Sequence, residues 1–190
     1  MRPGPRFRSA LAFAARLHEK QHRKGTGTTY VGHLIGVAAL VIEDGGSEDE
    51  AIAALLHDAI EDQGGERVRR EIRRRFGPRV ARIVEACTDT DQIPKPPWRP
   101  RKEEYLHHLQ SAPKSVLRVS LADKLHNARA ILADYRRLGD RLWRRFKGKR
   151  AGTLWYYREL ARLFARRKPG PMAEELARTV RELERLARRG

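Results

Sequence analysis

The chain has little that would cross-link it or anchor it in a membrane. Its 190 residues include one cysteine, Cys87, which excludes an internal disulfide bond and indicates a reducing compartment. No apolar run approaches the roughly 20 residues that a membrane-crossing helix needs. The first residues also lack the apolar stretch of a signal peptide. We therefore expect a soluble cytoplasmic protein, in which Cys87 is better suited to the core than to nucleophilic catalysis.

Acidic residues are scarce relative to basic ones. The chain has 24 Asp and Glu against 41 Lys and Arg, a formal net charge of +17. Such an excess predicts anionic partners or substrates. Of the basic residues 32 are arginine, the better bidentate binder of phosphate. Arginine-rich codon usage in a GC-rich genome would produce the same excess of arginine over lysine. The charge alone therefore leaves open whether nucleic acid is bound.

Strand-like alternation of apolar and polar residues is hard to find, whereas helical spacing runs through almost the whole chain. The length suits one domain, residues 1–190, and the pattern predicts an all-α bundle of roughly nine or ten helices. The last of them, an amphipathic helix over 171–189, should pack on the rest. Residues 89–100 contain four prolines and are expected to form a loop, with Trp98 as a mobile wall of a pocket. The other helices are predicted at 6–22, 33–43, 47 onward with a capping box, 66–75, 78–87, 102–111, 114–134, 138–147 and 151–167.

The segment 53–62 carries the most informative pattern in the sequence. Its leucines and isoleucine predict burial, yet it also contains His57, Asp58, Glu61 and Asp62, which are costly to bury without compensation. Helical spacing places His57 with Glu61, and Asp58 with Asp62, on shared helix faces. A divalent metal ion would compensate these groups, so the segment predicts a metal-dependent hydrolase.

Two further residues are plausible ligands for the same ion. His33 stands at the start of the preceding predicted helix, and Asp123 follows an apolar stretch much as Asp58 does. Two imidazoles and two carboxylates suit Mn²⁺ or Fe²⁺ better than a thiolate zinc site. Glu61 and Asp62 would then be available to orient and deprotonate an attacking water.

Each of these side chains, taken singly, has an ordinary structural explanation. A buried histidine is often a hydrogen-bonded core residue, and an aspartate such as Asp123 often pairs with a neighbouring lysine or arginine. Their joint arrangement, with polar groups interrupting apolar runs in three predicted helices, favours a metal site. Five other histidines lack this context and are expected at the surface or behind the ligands: His18, His22, His107, His108 and His126.

The order His33, His57-Asp58, Asp123 is similar to that of the HD superfamily of metal-dependent phosphohydrolases. Residues 21–25 with Tyr30, and then segments 54–62, 76–80 and 122–127, resemble the motifs of the RelA/SpoT-type alarmone hydrolase domain. Residues 88–89, 94–95 and 101–102 resemble the stand-alone small alarmone hydrolases. The resemblance covers about residues 7–165, which would form the core of a single HD-type domain.

The resemblance implies an HD fold and Mn²⁺-dependent removal of the 3′-pyrophosphate from guanosine tetra- or pentaphosphate, leaving GDP or GTP. It implies that Glu61 and Asp62 are the catalytic acids. Arg23 and Lys24 would meet the base or the phosphates, and Asn127 the sugar. The implied metal ligands are His33, His57, Asp58 and Asp123.

Other functions remain open from the sequence. A related HD phosphohydrolase could act on another nucleotide, for instance as an NADPH 2′-phosphatase or a nucleotidase. A different class is a nucleic-acid-binding protein, with weak RNA or ribosome association through basic patches, although no known nucleic-acid motif accompanies them. A catalytically inactive scaffold is disfavoured because all four candidate ligands are present. The basic patches are Arg67, Arg69, Arg70, Arg73, Arg74 and Arg75, and Arg144, Arg145, Lys147, Lys149 and Arg150.

Overall fold

The computed structural model describes residues 3–90, 92 and 94–188, and helices dominate these residues. The expectation of an all-α protein with nine or ten helices is confirmed, since the described residues form ten α-helices and a 3₁₀ helix at Gly139–Arg145. The α-helices are α1 (Pro5–Leu17), α2 (Val31–Glu43), α3 (Glu48–Leu56), α4 (Ala59–Gln63), α5 (Gly65–Phe76), α6 (Pro78–Cys87), α7 (Trp98–Ser111), α8 (Lys114–Leu138), α9 (Lys149–Arg167) and α10 (Pro171–Ala187). None of them is both long and apolar enough to cross a membrane.

The chain divides into two compact units. The first extends to Lys95 and also includes Ala112–Ala122, and the second comprises Pro96–Ser111 and the chain from Asp123 onward. α8 therefore contributes residues to both units. A single domain over residues 1–190, with a core at 7–165, stays a prediction.

The first unit is organised around α3, which contacts α1, α2 and α6. Every residue of α3 from Glu50 to Leu56 is buried. Burying a leucine or isoleucine side chain contributes about 1.5–3 kcal/mol, so α3 is held firmly by its neighbours. The end of this helix is therefore a rigid place from which to project functional side chains.

The start of α3 is fixed by the predicted capping box. Ser47 Oγ accepts a hydrogen bond from the Glu50 amide at 3.4 Å, and Glu50 Oε2 accepts one from the Ser47 amide at 2.8 Å. Arg118 also pairs with Glu50, at 2.6 Å from Nη1 to Oε1. These hydrogen bonds satisfy amide groups that a helix start would otherwise leave unpaired, which sets the register of the whole helix.

Two predicted helices are shorter or broken in the structure. The helix predicted over 6–22 ends at Leu17, because residues 21–30 pair with each other instead. The Arg23 amide donates to the Thr28 carbonyl at 2.8 Å, the Tyr30 amide to the Gln21 carbonyl at 2.9 Å, and Gly25 turns the chain with φ +73°. The predicted third helix is interrupted at His57-Asp58, so α3 and α4 are separate. The expectation of one continuous helix is therefore wrong, although the Asp62 amide still donates to the Asp58 carbonyl at 3.0 Å, as in a helical turn.

The proline-rich segment is shorter than expected, because α7 begins at Trp98 rather than at residue 102. Pro100 fits there because the amide groups of a first helical turn need no intrahelical partner. Trp98 therefore lies in a helix, and its ring packs against Gly148, where an added Cβ would lie 2.7 Å from it. The expectation that Trp98 lies in a loop is wrong, and its role as a pocket wall stays a prediction.

The second unit has an aromatic interior. Trp143, Tyr156 and Tyr157 are buried, and Trp98 meets Trp155 edge to face with 6.3 Å between ring centroids. α10 packs on α9. Arg189, the last residue of the helix predicted over 171–189, lies outside the described residues. The segment predicted as a helix at 138–147 is largely a tighter 3₁₀ helix.

Candidate metal centre

Three side chains predicted to bind a metal ion meet in the first unit. One ligand atom from each of His33, His57 and Asp58 lies within 4.8 Å of the other two. The distance from Asp58 Oδ2 is 3.0 Å to His57 Nε2 and 3.7 Å to His33 Nε2. Both histidines are buried and Asp58 is half-buried, so the three groups form an interior cluster with one accessible side.

The interruption between α3 and α4 places this cluster. His57 is the C-cap residue of α3 and Asp58 the N-cap residue of α4. Leu56 and Ile60, on either side of them, are buried, which draws the dipeptide inward. His33 reaches the cluster from the first turn of α2. An ion over a helix end is therefore within reach of both members of the dipeptide.

The orientation of His57 fits it for ligation. Its Nδ1 lies 2.8 Å from the Ala54 carbonyl oxygen, and because a carbonyl only accepts, Nδ1 carries the hydrogen. Nε2 then presents its lone pair toward the Asp58 carboxylate, and the two groups repel unless a proton or a cation lies between them. The donor set of two imidazole nitrogens and a carboxylate oxygen fits a divalent first-row metal ion.

Tyr30 also contacts Asp58, and it was not among the predicted site residues. Its hydroxyl donates to Asp58 Oδ2 at 2.5 Å. Its ring meets His33 edge to face at 5.2 Å and stacks on His18 at 5.4 Å. The signal was its spacing, because a residue three positions before His33 lies one helical turn away. His18 is buried behind Tyr30, as expected for a histidine behind the ligands.

Glu61, a predicted catalytic acid, forms an ion pair in α4. Lys95 Nζ donates to Glu61 Oε1 at 2.8 Å. Burial disfavours the charge of Lys95, but the hydrogen bond and the negative charge of Glu61 outweigh it, so the pKa of Lys95 is raised. Lys95 was not among the predicted site residues, and only its position in a motif-like segment pointed to it.

Asp62, the other predicted catalytic acid, accepts a hydrogen bond from Gln21 Nε2 at 2.8 Å. Desolvation of its carboxylate raises its pKa, and the negative charge of Asp58 raises it further. The side chain lines a shallow cleft of about 380 Å³ together with Leu17, Lys20, Gln21 and Gln63. A carboxylate with a raised pKa beside such a cleft is suited to accepting a proton.

The residues predicted to contact substrate lie in two places. Arg23 and Lys24 belong to the paired segment 21–30 of the first unit, where Arg23 is half-buried and Lys24 exposed. Asn127 lies on α8 in the second unit, and its Nδ2 donates to Asp123 Oδ1 at 2.6 Å. Their contacts with a nucleotide stay predictions.

Asp123, the predicted fourth ligand, belongs to the second unit. Its Oδ2 lies 2.6 Å from Lys124 Nζ. Burial disfavours the charge of Lys124, but Asp123 and the Tyr105 and Tyr156 phenols outweigh this effect, so the pKa of Lys124 lies well above its ordinary value. The role of Asp123 as a metal ligand stays a prediction.

Comparison with known families agrees with the three-residue cluster. The profile of the HD domain family matches residues 10–154, which include His33, His57, Asp58 and Asp123. The chain belongs to the HD domain family.

Curated HD domain relatives include vertebrate and bacterial proteins. The chain is 42% identical over 123 residues to human guanosine-3′,5′-bis(diphosphate) 3′-pyrophosphohydrolase MESH1, a match that covers 63% of the chain and 66% of the human protein. It is 34% identical over 122 residues to the guanosine-3′,5′-bis(diphosphate) 3′-pyrophosphohydrolase of Aquifex aeolicus, covering 64% of the chain and 17% of that protein. The chain thus spans slightly less than two thirds of the vertebrate relatives' length and a small part of the bacterial one.

Solved structures agree with the HD fold. A metazoan orthologue of SpoT, described as hydrolysing ppGpp, superposes with a TM-score of 0.79 at 23% identity, covering 96% of this chain and 98% of that one. A Listeria monocytogenes protein superposes with a TM-score of 0.71 at 27% identity, covering 80% and 99%. The likeness to the metazoan structure is evidence for the fold alone.

Proposed function

We propose that this HD domain protein is a metal-dependent hydrolase that removes the 3′-pyrophosphate of guanosine 3′,5′-bis(diphosphate). The products would be GDP and pyrophosphate, with GTP formed from the pentaphosphate. The observation that carries the proposal is the convergence of His33, His57 and Asp58 immediately before the Glu61-Asp62 pair. Relatives that share this chain's HD segment at up to 42% identity bear the name of this activity.

The donor set supports a hard or borderline divalent ion. His33, His57 and Asp58 offer nitrogen and oxygen ligands, and Cys87, the sole cysteine, is buried in contact with Ser120. Such a set suits Mn²⁺ or Fe²⁺, and we propose Mn²⁺, the ion that the family resemblance implies. When bound, the ion would supply Lewis-acid polarisation of a phosphoryl oxygen. Asp123 is proposed as its fourth protein ligand.

The two carboxylates that follow the metal-binding cluster in the sequence would activate the attacking water. Glu61 and Asp62 would orient the attacking water and take its proton, and the raised pKa of Asp62 brings it closer to that of an effective base. Lys95 holds Glu61 at 2.8 Å, which limits the side-chain rotamers open to that carboxylate. Arg23 and Lys24 would bind the base or the phosphates, and Asn127 the sugar, as the family resemblance implies.

The decisive experiment compares substrates side by side. The purified protein is stripped of metal, reloaded separately with Mn²⁺, Fe²⁺, Mg²⁺ or Zn²⁺, and given guanosine tetraphosphate, NADPH and ordinary nucleotides. Pyrophosphate and GDP from the alarmone, greatest with Mn²⁺ and with little product elsewhere, are the expected result. Inorganic phosphate from another nucleotide, with the alarmone untouched, would overturn the substrate and favour the related HD phosphohydrolase. Greater activity with another ion would overturn the choice of Mn²⁺.

Nucleic-acid binding stays a separate prediction, and it rests on the basic surface of α5. Arg70 and Arg74 are each 75% exposed. Glu66 and Glu71 on the same helix pair with several of its arginines, at distances down to 2.5 Å between Arg75 Nη2 and Glu71 Oε1. RNA binding that falls with salt, and falls after charge reversal at residues 73–75, would support this role.

A further inference from the structure

A chain of hydrogen bonds joins the buried His18 to the predicted catalytic Asp62. His18 Nδ1 lies 2.6 Å from Gln21 Oε1, and Gln21 Nε2 lies 2.8 Å from Asp62 Oδ2. Gln63 Nε2 approaches the same Gln21 oxygen at 2.5 Å. All four residues belong to the first unit, and Gln21, Asp62 and Gln63 line its cleft of about 380 Å³.

The direction of each hydrogen bond follows from Asp62. An ionised carboxylate only accepts, so the Gln21 amide must turn its NH₂ group toward Asp62 and its oxygen toward His18. Because that oxygen also only accepts, His18 must carry its hydrogen on Nδ1. The Gln63 NH₂ group donates to the same oxygen, which fixes the Gln21 amide from a second side.

His18, at the other end of this hydrogen-bond chain, is held in place by packing. His18 is 1% exposed, caps the end of α1 and stacks on Tyr30. Its Nε2 has no hydrogen-bond partner in the described part of the chain, so the polar contacts of the ring run through Nδ1, which lies 2.6 Å from Gln21 Oε1 and 3.4 Å from Gln63 Nε2. Burial lowers the pKa of His18, so the neutral ring with hydrogen on Nδ1 is favoured. Tyr30 in turn binds Asp58.

We propose that His18 and Gln21 are positioning residues that hold the Asp62 carboxylate in its productive orientation. The hydrogen-bond chain engages only Oδ2 of Asp62. Oδ1 accepts no hydrogen bond from the described residues, so Oδ1 remains for the attacking water. This inference rests on the proposed role of Asp62 in hydrolysis. Loss of a supporting hydrogen bond at such a centre typically costs roughly 10–100-fold in activity.

The kinetic test uses variants that differ in one hydrogen bond. Gln21→Met keeps the length of the side chain and removes both polar atoms, so kcat should fall roughly 10–100-fold while KM and the affinity for Mn²⁺ stay near wild type. Gln21→Glu should be at least as damaging, because a second carboxylate would face Asp62. Glu19→Gln, an exposed neighbour, is the matched control, and thermal unfolding midpoints show whether the variants are folded.

A pair of His18 variants separates hydrogen bonding from packing. His18→Asn places an amide NH₂ near the position of Nδ1 and should retain most of the wild-type kcat. His18→Leu removes the hydrogen bond, and its kcat should fall as far as that of Gln21→Met. Equal loss in both, with midpoints near wild type, would overturn the role of the His18 hydrogen bond.

A spectroscopic measurement is independent of substrate. Long-range ¹H–¹⁵N spectra of the metal-free protein should show His18 with its hydrogen on Nδ1, and hydrogen on Nε2 would overturn the hydrogen-bond chain. Wild-type protein that hydrolyses no nucleotide would overturn the proposed function and the positioning role together. Wild-type activity on any nucleotide, with an unchanged kcat in Gln21→Met, would overturn the positioning role alone.

Discussion

Asp58 and Asp123, both predicted to bind metal, are held in different ways. Asp58 lies between α3 and α4. Its carboxylate contacts the Tyr30 hydroxyl at 2.5 Å and the Nε2 atoms of His57 and His33 at 3.0 and 3.7 Å. Asp123 lies within the continuous α8, between the Lys124 ammonium and the Asn127 amide, each at 2.6 Å. The Asp58 carboxylate faces the lone pair of His57 Nε2, and the Asp123 carboxylate is already matched by a cation.

The difference shows what each carboxylate requires. At Asp58 a cation relieves the repulsion between the carboxylate and the His57 lone pair, so the local structure itself favours metal binding. At Asp123 the ion pair with Lys124 satisfies much of the charge in advance. We therefore expect the loss of Asp58 to act chiefly on metal binding, and the loss of the Asp123 partner to act chiefly on stability.

The largest expected effect follows from removing the first carboxylate. Asp58→Ala or His57→Ala should abolish stoichiometric Mn²⁺ binding in calorimetry and reduce turnover on the order of 10⁴-fold, since the ion contributes several kcal/mol to the transition state. His108→Ala, at an exposed histidine, is the control. Full Mn²⁺ binding by Asp58→Ala would refute its assignment as a ligand.

The second carboxylate is tested through its partner. Lys124→Met leaves Asp123 buried without its cation and should lower the free energy of unfolding by about 3–5 kcal/mol. Urea unfolding measures this, and the double variant with Asp123→Asn should recover part of the loss. A loss of less than about 1 kcal/mol, the range of exposed ion pairs, would show that Lys124 does not stabilise a buried Asp123 charge. The proposed difference between Asp123 and Asp58 would then be refuted.

Glu61→Gln leaves the metal-binding residues His33, His57 and Asp58 unchanged and replaces the Glu61 carboxylate with an amide. Because the amide cannot accept a proton, turnover should fall about 10²-fold, the lower range for general base catalysis. Mn²⁺ affinity and thermal stability should stay near wild type. Retained turnover would show that Glu61 does not activate the water.

The smallest effect concerns Tyr30. Tyr30→Phe removes the hydroxyl that donates to Asp58 and should weaken Mn²⁺ binding roughly tenfold, as the loss of supporting hydrogen bonds does at other metal sites. Calorimetric titration measures the change. An affinity equal to wild type would mean that the imidazoles alone orient Asp58.

Much of the fold and the centre of the site were predictable, because their signals are local. The capping box at Ser47 and Glu50 and the His57-Asp58 dipeptide in an apolar run each involve neighbouring residues. The end of α1 at Leu17 was not predictable, because residues 21–30 hydrogen-bond with each other beyond it. The break between α3 and α4 was not predictable either, because Asp58 there accepts a hydrogen bond from the distant Tyr30.

The sequence by itself determined the helical class and the chemical identity of the candidate ligands, since apolar spacing and residue type do not depend on distant contacts. Only the tertiary structure decided which side chains support them. The links from Tyr30 to Asp58, Lys95 to Glu61 and Gln21 to Asp62 join residues 28–41 positions apart. Hydrogen bonds depend on distances of a few tenths of an ångström between such segments, and packing of the folded chain sets those distances.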